Sequence, residues 1–191
     1  MNAISEIKNR LSDECVFPYE GITPKLHPSV FLAPGSKVIG DVEMKEGSSL
    51  WFNTVARGDV HYIKIGKFTN IQDCSMLHVT NNKFPLNLGN NITVGHSVIL
   101  HGCTINDESL IGMGAIILDG ARVNKHSIVA AGAVITQGFE IPEGKVAAGV
   151  PCKIIRDVTK DEIEEMKLSA LRYFNYAEKT LKSFTEITQT T

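Results

Sequence analysis

Residues 105–135 read INDESL-IGMGAI-ILDGAR-VNKHSI-VAAGAV-I, a run in which a large aliphatic residue opens every unit of six. The fifth residue of each unit is small. A period of six held this long matches neither the 3.6-residue period of an amphipathic helix nor the simple alternation of an open sheet. It indicates an internal-repeat architecture in which each unit supplies one short strand and a turn. The aliphatic positions are Ile105, Ile111, Ile117, Val123, Val129 and Ile135, and the small ones are Ser109, Ala115, Ala121, Ser127 and Ala133.

The same frame extends towards the N-terminus with three irregularities. These are a three-residue insertion around 61–64, a looser stretch at 79–87 and a slip of one residue before Ile105. Stacked coils of such units pair parallel strands about 4.8 Å apart and bury a continuous aliphatic column. We therefore predict an all-β solenoid, a parallel β-helix, over residues 17–155. Its earlier aliphatic positions are Leu26, Leu32, Val38, Met44, Leu50, Ala56, Ile65, Ile71, Leu77, Leu88, Val94 and Leu100.

The two ends of the chain depart from the period. Residues 1–16 form an N-terminal leader in which Ile4, Ile7 and Leu11 have helical spacing. Beyond Ile135 the segment 142–151 is rich in proline and glycine, which indicates that the solenoid ends near there.

A C-terminal helix is predicted within residues 156–185, followed by a tail at 186–191. Thr159 and Glu162 have the spacing of a capping box, so the helix should run from about 160 to 184 and lie against the solenoid. Its apolar stripe is Ile163, Met166, Ala170, Phe174, Ala177, Leu181 and Phe184.

Composition excludes several classes of partner. The formal net charge is −2 and no run of Lys and Arg is present, so neither nucleic acid nor an acidic membrane surface is an expected partner. The N-terminal residues lack the apolar region of a signal peptide, and no stretch approaches the roughly 20 apolar residues of a membrane span. Four widely spaced cysteines without a C-x-x-C pair fit reduced thiols. We expect a cytoplasmic protein.

Three of the six histidines, His78, His96 and His101, lie close together in the sequence and predict a metal site. Catalytic zinc sites use three protein ligands and leave one position open. The spacing from His78 to His96 equals three units, which places these two on adjacent coils. His101 should then lie on a neighbouring face, so that a site between two subunits would bring all three together. The remaining histidines, His27, His61 and His126, are interpreted as solvated or corner residues.

Several short motifs resemble the γ-class carbonic anhydrases and related hexapeptide-repeat proteins over about residues 17–180. The resemblance implies a left-handed parallel β-helix with three strands per coil, assembled as a homotrimer. The motifs are Ile22-Thr23-Pro24, Val38-Ile39-Gly40-Asp41-Val42, Arg57-Gly58-Asp59, Thr69-Asn70-Ile71-Gln72-Asp73, Leu77-His78, Val94-Gly95-His96, Leu100-His101-Gly102-Cys103 and Ile111-Gly112-Met113-Gly114-Ala115.

The resemblance also implies roles for individual residues. His78 and His101 of one chain and His96 of its neighbour would hold the metal, and Arg57 and Asp59 would form an ion pair at the subunit boundary. Other positions would lie beside the reacting water: the amides Asn70 and Gln72, the carboxylate Asp73 as a partner of a ligand or of Arg57, and Tyr173 on the C-terminal helix.

The implied reaction is the reversible hydration of carbon dioxide to bicarbonate by a metal-bound hydroxide. Zinc is the expected metal, with Fe2+ or Co2+ as alternatives that imidazole also suits. One departure from the family pattern concerns proton transfer. Rapid members carry acids after the first histidine and after the aspartate of the ion pair. This chain has no acid from Val79 to Asn91, and Val60 directly follows Asp59. We predict slow hydration.

Two other functions fit the same scaffold. One is a coenzyme A-dependent acyltransferase of the hexapeptide-repeat type with a histidine as general base. The other is a non-catalytic trimer that retains the metal site.

Overall fold

Short parallel strands wind into a solenoid that is followed by a long helix. The computed structural model describes residues 13–188 together with Ile7 and Leu11. The elements are β1 (Val16–Phe17), β2 (Lys25–Leu26), β3 (Phe31–Leu32), β4 (Lys37–Met44), β5 (Ser49–Leu50), β6 (Val55–Ile65), β7 (Asn70–Ile71), β8 (Met76–His78), β9 (Leu86–Leu88), β10 (Thr93–Val94), β11 (Ile99–His101), β12 (Thr104–Ile105), β13 (Leu110–Ile111), β14 (Ile116–Ile117), β15 (Arg122–Val123), β16 (Ile128–Val129), β17 (Val134–Ile135), β18 (Glu140–Ile141), β19 (Lys145–Ala148), β20 (Lys153–Asp157) and α1 (Lys160–Thr188).

The strands stack into three faces, and the predicted parallel solenoid with a C-terminal helix is confirmed. Face 1 contains the first halves of β4 and β6, then β8, β11, β14 and β17. Face 2 contains the second halves of β4 and β6, then β9, β12, β15 and β18. Face 3 contains β3, β5, β7, β10, β13, β16, β19 and β20. Because β4 and β6 run through a corner, they join faces 1 and 2 into one bent sheet.

The aliphatic residues of the six-residue period form the core, as predicted. Leu50, Ile71 and Ile111 are fully buried on face 3, and equivalent columns line the other two faces. Burial of one such side chain stabilises the fold by about 1.5–3 kcal/mol. The stacked columns are therefore the main stabilising feature of a fold whose individual strands are mostly very short.

Strand register confirms the three irregularities in the period. Val129 pairs with Ile111, three units earlier, which is one regular coil. The insertion within β6 lengthens the coil from Leu50 to its partner Ile71, and the looser stretch lengthens the coil from Ile71 to Val94. The coil from Val94 to Ile111 is shorter than a regular one, because it includes the slip.

The predicted boundaries of the C-terminal part need three corrections. The period continues past Ile135, since Ile141 and Ala147 occupy the next core positions and β19 pairs with β16. Residues 156 and 157 belong to β20, which turns back antiparallel to β19, so they are not part of the helical segment. Helix α1 ends at Thr188, so residues 186–188 of the predicted tail are helical, and 189–191 lie outside the described residues.

Helix α1 packs against face 3 near β7 and β10, and each residue of the predicted apolar stripe is buried or half-buried. N-terminal residues share this contact: Ile7 and Leu11, both helical, join a cluster with Trp51, Ala177 and Leu181. Ile4 lies outside the described residues. Among the residues that are described, no helix has the length and apolarity to cross a membrane.

The predicted capping box begins helix α1. The backbone N–H of Glu162 donates to Thr159 Oγ1 at 3.2 Å, and the Glu162 carboxylate accepts from the Thr159 N–H at 2.9 Å. Arg156 adds two further hydrogen bonds to this carboxylate, of 2.7 and 2.8 Å. The contact with Arg156, followed by that with the Thr159 backbone, lowers the pKa of Glu162 from 4.5 to about 2.

Lowering the pH should destabilise the N-terminus of helix α1, because Glu162 becomes protonated. Its pKa is lower in the folded than in the unfolded chain, so its contribution is complete above the unfolded value and is lost as the pH falls towards about 2. Thermal unfolding followed by circular dichroism should therefore show a larger fall in Tm between pH 5 and pH 2 for the native chain than for Glu162→Gln. Glu164→Gln, which removes only an exposed pair with Lys167, is the matched control. Equal pH slopes for the native chain and Glu162→Gln would contradict the assignment.

Candidate metal centre

The predicted site residues fall into two groups at different corners of one chain. We call the first the two-histidine half-site, at the corner between faces 1 and 2, and the second the one-histidine half-site, at the corner between faces 3 and 1. The two-histidine half-site contains Arg57, Asp59, His78 and His101, and the one-histidine half-site contains Asn70, Gln72, Asp73, His96 and Tyr173.

Strand register sets His78 beside His101. They are Cα partners in the β8–β11 ladder, and their ring centroids lie 5.1 Å apart. The expectation that a spacing of three units would stack His78 against His96 is wrong, because the looser stretch makes this coil longer than three units. The residue that lies one coil beyond His78 is His101.

Asp59 orients His78. Its Oδ1 lies 3.0 Å from His78 Nε2, and its Oδ2 accepts a hydrogen bond from Arg57. Burial raises the pKa of Asp59, but the hydrogen bonds from His78 and Arg57 outweigh it, so the pKa lies below its ordinary value. Burial lowers the pKa of His78 and outweighs the effect of Asp59, which keeps this imidazole neutral near pH 7.

Asp119 orients His101, and sequence reasoning missed it. Its Oδ1 lies 2.7 Å from His101 Nδ1, while its Oδ2 accepts a hydrogen bond of 2.8 Å from Thr80 Oγ1. Gly102 has a φ of 53°, and a Cβ there would collide with Asp119 Oδ1. The feature that could have identified Asp119 is the stacking of successive coils at this corner. There the Gly120 N–H donates to the Gly102 carbonyl one coil earlier, so the residues beside these two glycines are neighbours.

The facing nitrogens of the two histidines are arranged as a pair of metal ligands. His78 Nδ1 and His101 Nε2 lie 3.1 Å apart. In the tautomers in which each ring donates its N–H to its carboxylate, which can only accept, both facing nitrogens would carry lone pairs. Two imidazole ligands on a tetrahedral zinc stand roughly 3.3 Å apart. A cation between them would relieve the repulsion of the lone pairs, so the donor set fits a metal.

His96 lies at the corner that precedes β11. The next residue, Ser97, has a φ of 56°, which turns the chain there. His96 Nδ1 lies 2.8 Å from Asp73 Oδ2, so the neutral ring would present Nε2. His96 and His101 are separated by the length of β11, about 3.3 Å per residue. Among the residues that the structure describes, no three His, Cys, Asp or Glu side chains of one chain form a metal-binding group.

Asn70 and Gln72 on the solenoid and Tyr173 on helix α1 complete the one-histidine half-site. Asn70 donates to the Ile92 carbonyl and to Thr93 Oγ1, while its own oxygen accepts from Gln72 Nε2 at 3.3 Å. Both amides are buried. Tyr173 packs edge-on against Trp51 at 5.4 Å. Burial, followed by the charge of Asp73, raises the pKa of Tyr173.

Carbonic anhydrases are among the curated proteins that are similar to this chain in sequence. A carbonic anhydrase of Geobacillus kaustophilus is 47% identical and aligns over 80% of this chain and 83% of its own length. The chain belongs to the γ carbonic anhydrase family. A mitochondrial γ carbonic anhydrase of Arabidopsis thaliana is 44% identical over 86% of this chain, which spans 63% of the length of that relative.

Solved structures place this γ carbonic anhydrase family member among the hexapeptide-repeat proteins. A hexapeptide transferase family protein from Anaplasma phagocytophilum has a TM-score of 0.82 and 37% sequence identity, covering 87% of this chain and 98% of that one. No protein-family model matches the chain.

Asp119 should control metal retention. Asp119→Asn leaves the side chain nearly unchanged in size but removes the carboxylate that orients His101, so zinc affinity should fall by about 10- to 100-fold. Competition with a chromogenic chelator would measure it. Asp41→Asn changes an exposed aspartate and should leave the affinity unchanged. Unchanged affinity in Asp119→Asn would show that Asp119 has no such role.

Proposed function

We propose that the protein is a zinc-dependent carbonic anhydrase that acts as a homotrimer, with each site formed by the two-histidine half-site of one copy and the one-histidine half-site of the next. The observation that carries this proposal is the 3.1 Å approach of His78 Nδ1 and His101 Nε2, with both outer ring nitrogens on carboxylates. It supplies two ligands, and His96 of a second copy would supply the third.

An apolar strip on face 1 supports assembly through this face. The strip runs between the two half-sites, and its residues are paired from coil to coil. Met76 and Ile99 each keep 39% of their surface exposed in the single chain. A partner that covered this strip would bury apolar surface and bring the two kinds of half-site together. The strip consists of Val55, Met76, Ile99, Ile116 and Val134.

The side chains would divide the work of hydration. A zinc ion held by the three histidines would make a water molecule acidic enough to lose its proton near pH 7. Gln72 keeps its side-chain oxygen available, because its nitrogen donates to Asn70, and this oxygen can accept a hydrogen bond from the attacking water. Asp59, Asp73 and Asp119 hold the rings. Imidazole also suits Fe2+ and Co2+, which metal analysis would distinguish from zinc.

Mixed trimers test the intersubunit site. His96→Ala and His101→Ala homotrimers should each bind no zinc. When the two variants are co-expressed, a mixed trimer contains one interface at which an intact His78–His101 pair faces an intact His96. Differently tagged mixed trimers, purified through both tags, should therefore bind one zinc per trimer against three in the native protein.

The zinc counts distinguish a site shared between two copies from a site formed within one chain. Zinc retained by the His96→Ala homotrimer, or none in the mixed trimer despite an intact assembly, would refute a site shared between copies. Light scattering on each preparation checks the assembly.

Hydration should be slow because the segment after the first histidine ligand lacks acids to carry the proton away. Hydration of carbon dioxide releases one proton per bicarbonate, and residues 79–91 contain no Asp or Glu. Positioned acid–base groups contribute about 100- to 10,000-fold in rate. Stopped-flow assays should show weak activity that rises with the concentration of imidazole buffer and is absent in His101→Ala. A rate independent of buffer would show that the chain has its own proton carrier. No activity in trimers with full zinc would favour the non-catalytic alternative.

A coenzyme A-dependent acyltransferase is the second candidate, and the similarity to the hexapeptide transferase family protein favours it. Acyl transfer from acetyl-coenzyme A that survived removal of all metal would support it over hydration.

A cytoplasmic location is a separate prediction. It is supported by the widely spaced cysteines, all free thiols, which suit a reducing compartment. Cell fractionation tests it.

A further inference from the structure

The looser stretch that interrupts the six-residue period lies beside the two-histidine half-site. Thr80 and Phe84 form an isolated antiparallel bridge there, with hydrogen bonds of 3.0 Å from the Thr80 N–H to the Phe84 carbonyl and of 3.3 Å in the reverse direction. We call residues 80–84 the corner hairpin. Val79 and Leu86, on either side of it, are buried in the core, so both of its ends are fixed.

The corner hairpin packs against segments that precede and follow it in the solenoid. Phe84 lies across two stacked glycines: a Cβ at Gly102 would stand 2.7 Å from the Phe84 Cβ, and a Cβ at Gly120 would stand 3.0 Å from the Phe84 ring. On the earlier coil, the Val60 carbonyl accepts a hydrogen bond of 3.2 Å from the Asn82 N–H. These contacts hold the hairpin over the corner that carries the ligand pair.

Thr80 connects the corner hairpin to the ligand pair. Its Oγ1 donates at 2.8 Å to Asp119 Oδ2, while Asp119 Oδ1 lies 2.7 Å from His101 Nδ1. The Asp119 side chain is only 23% exposed, so water competes weakly for its oxygens. A carboxylate that is held at both oxygens keeps one orientation. Thr80 therefore fixes the carboxylate that orients His101.

We propose that Thr80 positions the metal ligand His101 through Asp119, and that the corner hairpin forms part of the metal centre by supplying this hydroxyl. Thr80 is a positioning residue, because it acts on the ligand through another side chain. The insertion that breaks the period thus carries a hydroxyl to a carboxylate two coils further along the solenoid. The proposal rests on the proposed metal site for its effect on zinc, whereas the orientation of the His101 ring can be measured without metal.

Zinc affinity measures the effect of the hydroxyl. Thr80→Val keeps nearly the same shape but lacks the donor, so competition with a chromogenic chelator should show a loss of about three- to tenfold, as expected for one hydrogen bond. Thr80→Ser restores the hydroxyl and should bind zinc as the native protein does. Asn81→Ala, which changes an exposed side chain of the same hairpin, is the matched control and should leave the affinity unchanged. In an Asp119→Asn background, Thr80→Val should cause no further loss, because its effect passes through Asp119.

Nitrogen-15 NMR of the metal-free full chain tests the ring itself. The histidine nitrogens would be labelled, and the His101 signals assigned by their absence in His101→Ala. At a pH at which the ring is neutral, native His101 should carry its proton on Nδ1, and Thr80→Val should show a mixture of the two tautomers. Light scattering and thermal unfolding check that each variant is assembled and folded, and Thr80→Ala replaces Thr80→Val if the latter is not.

Three results would overturn the proposal: an unchanged His101 tautomer in Thr80→Val, an equal loss of zinc affinity in Asn81→Ala, or a Thr80→Ser variant as weak as Thr80→Val. A shared zinc site that failed the mixed-trimer count would refute the proposed function, yet the metal-free tautomer measurement would still decide whether Thr80 orients His101. The two proposals can therefore fail separately.

Discussion

Coil-to-coil register is the constraint on which the rest of this structure depends. Each strand is too short to be stable alone, and the buried aliphatic columns hold one coil over the next. The same stacking places His78 opposite His101 and leaves their nitrogens 3.1 Å apart. Asp59 and Asp119 then turn the rings so that both lone pairs face inward. Stability of the scaffold and geometry of the ligand pair thus have one physical origin.

The separation of the two half-sites explains why one chain is an incomplete metal centre. A β-strand of face 1 lies between His96 and His101, and an extended chain cannot fold both rings onto one point. The outward side of that face is apolar and half-exposed. In the proposed trimer, covering this surface and completing the ligand set are the same event, which couples metal binding to assembly.

Helix α1 contributes more than a cover for face 3. It packs beside Asn70, since Ser169 Oγ lies 3.1 Å from the Thr93 hydroxyl that also binds Asn70. It also places Tyr173 and Tyr176 beside Trp51, where residues near the N-terminus join the same cluster. The surface of the one-histidine half-site is therefore built from segments far apart in sequence, with aromatic walls that the solenoid alone does not supply.

The sequence by itself determined the solenoid, its core positions and the start of helix α1, because six-residue periodicity and a capping box are local patterns with local physical causes. It also identified the three histidines and the resemblance that groups them. The resemblance already grouped His78 with His101, but only the tertiary structure showed that the two are register partners and that the three-unit spacing to His96 misleads. Tertiary structure alone decided that Asp119 holds His101 and that Ile141 and Ala147 continue the core. The physical reason is that an insertion between coils changes which residues are neighbours without changing the period on either side, so spacing along the chain no longer measures distance across the fold.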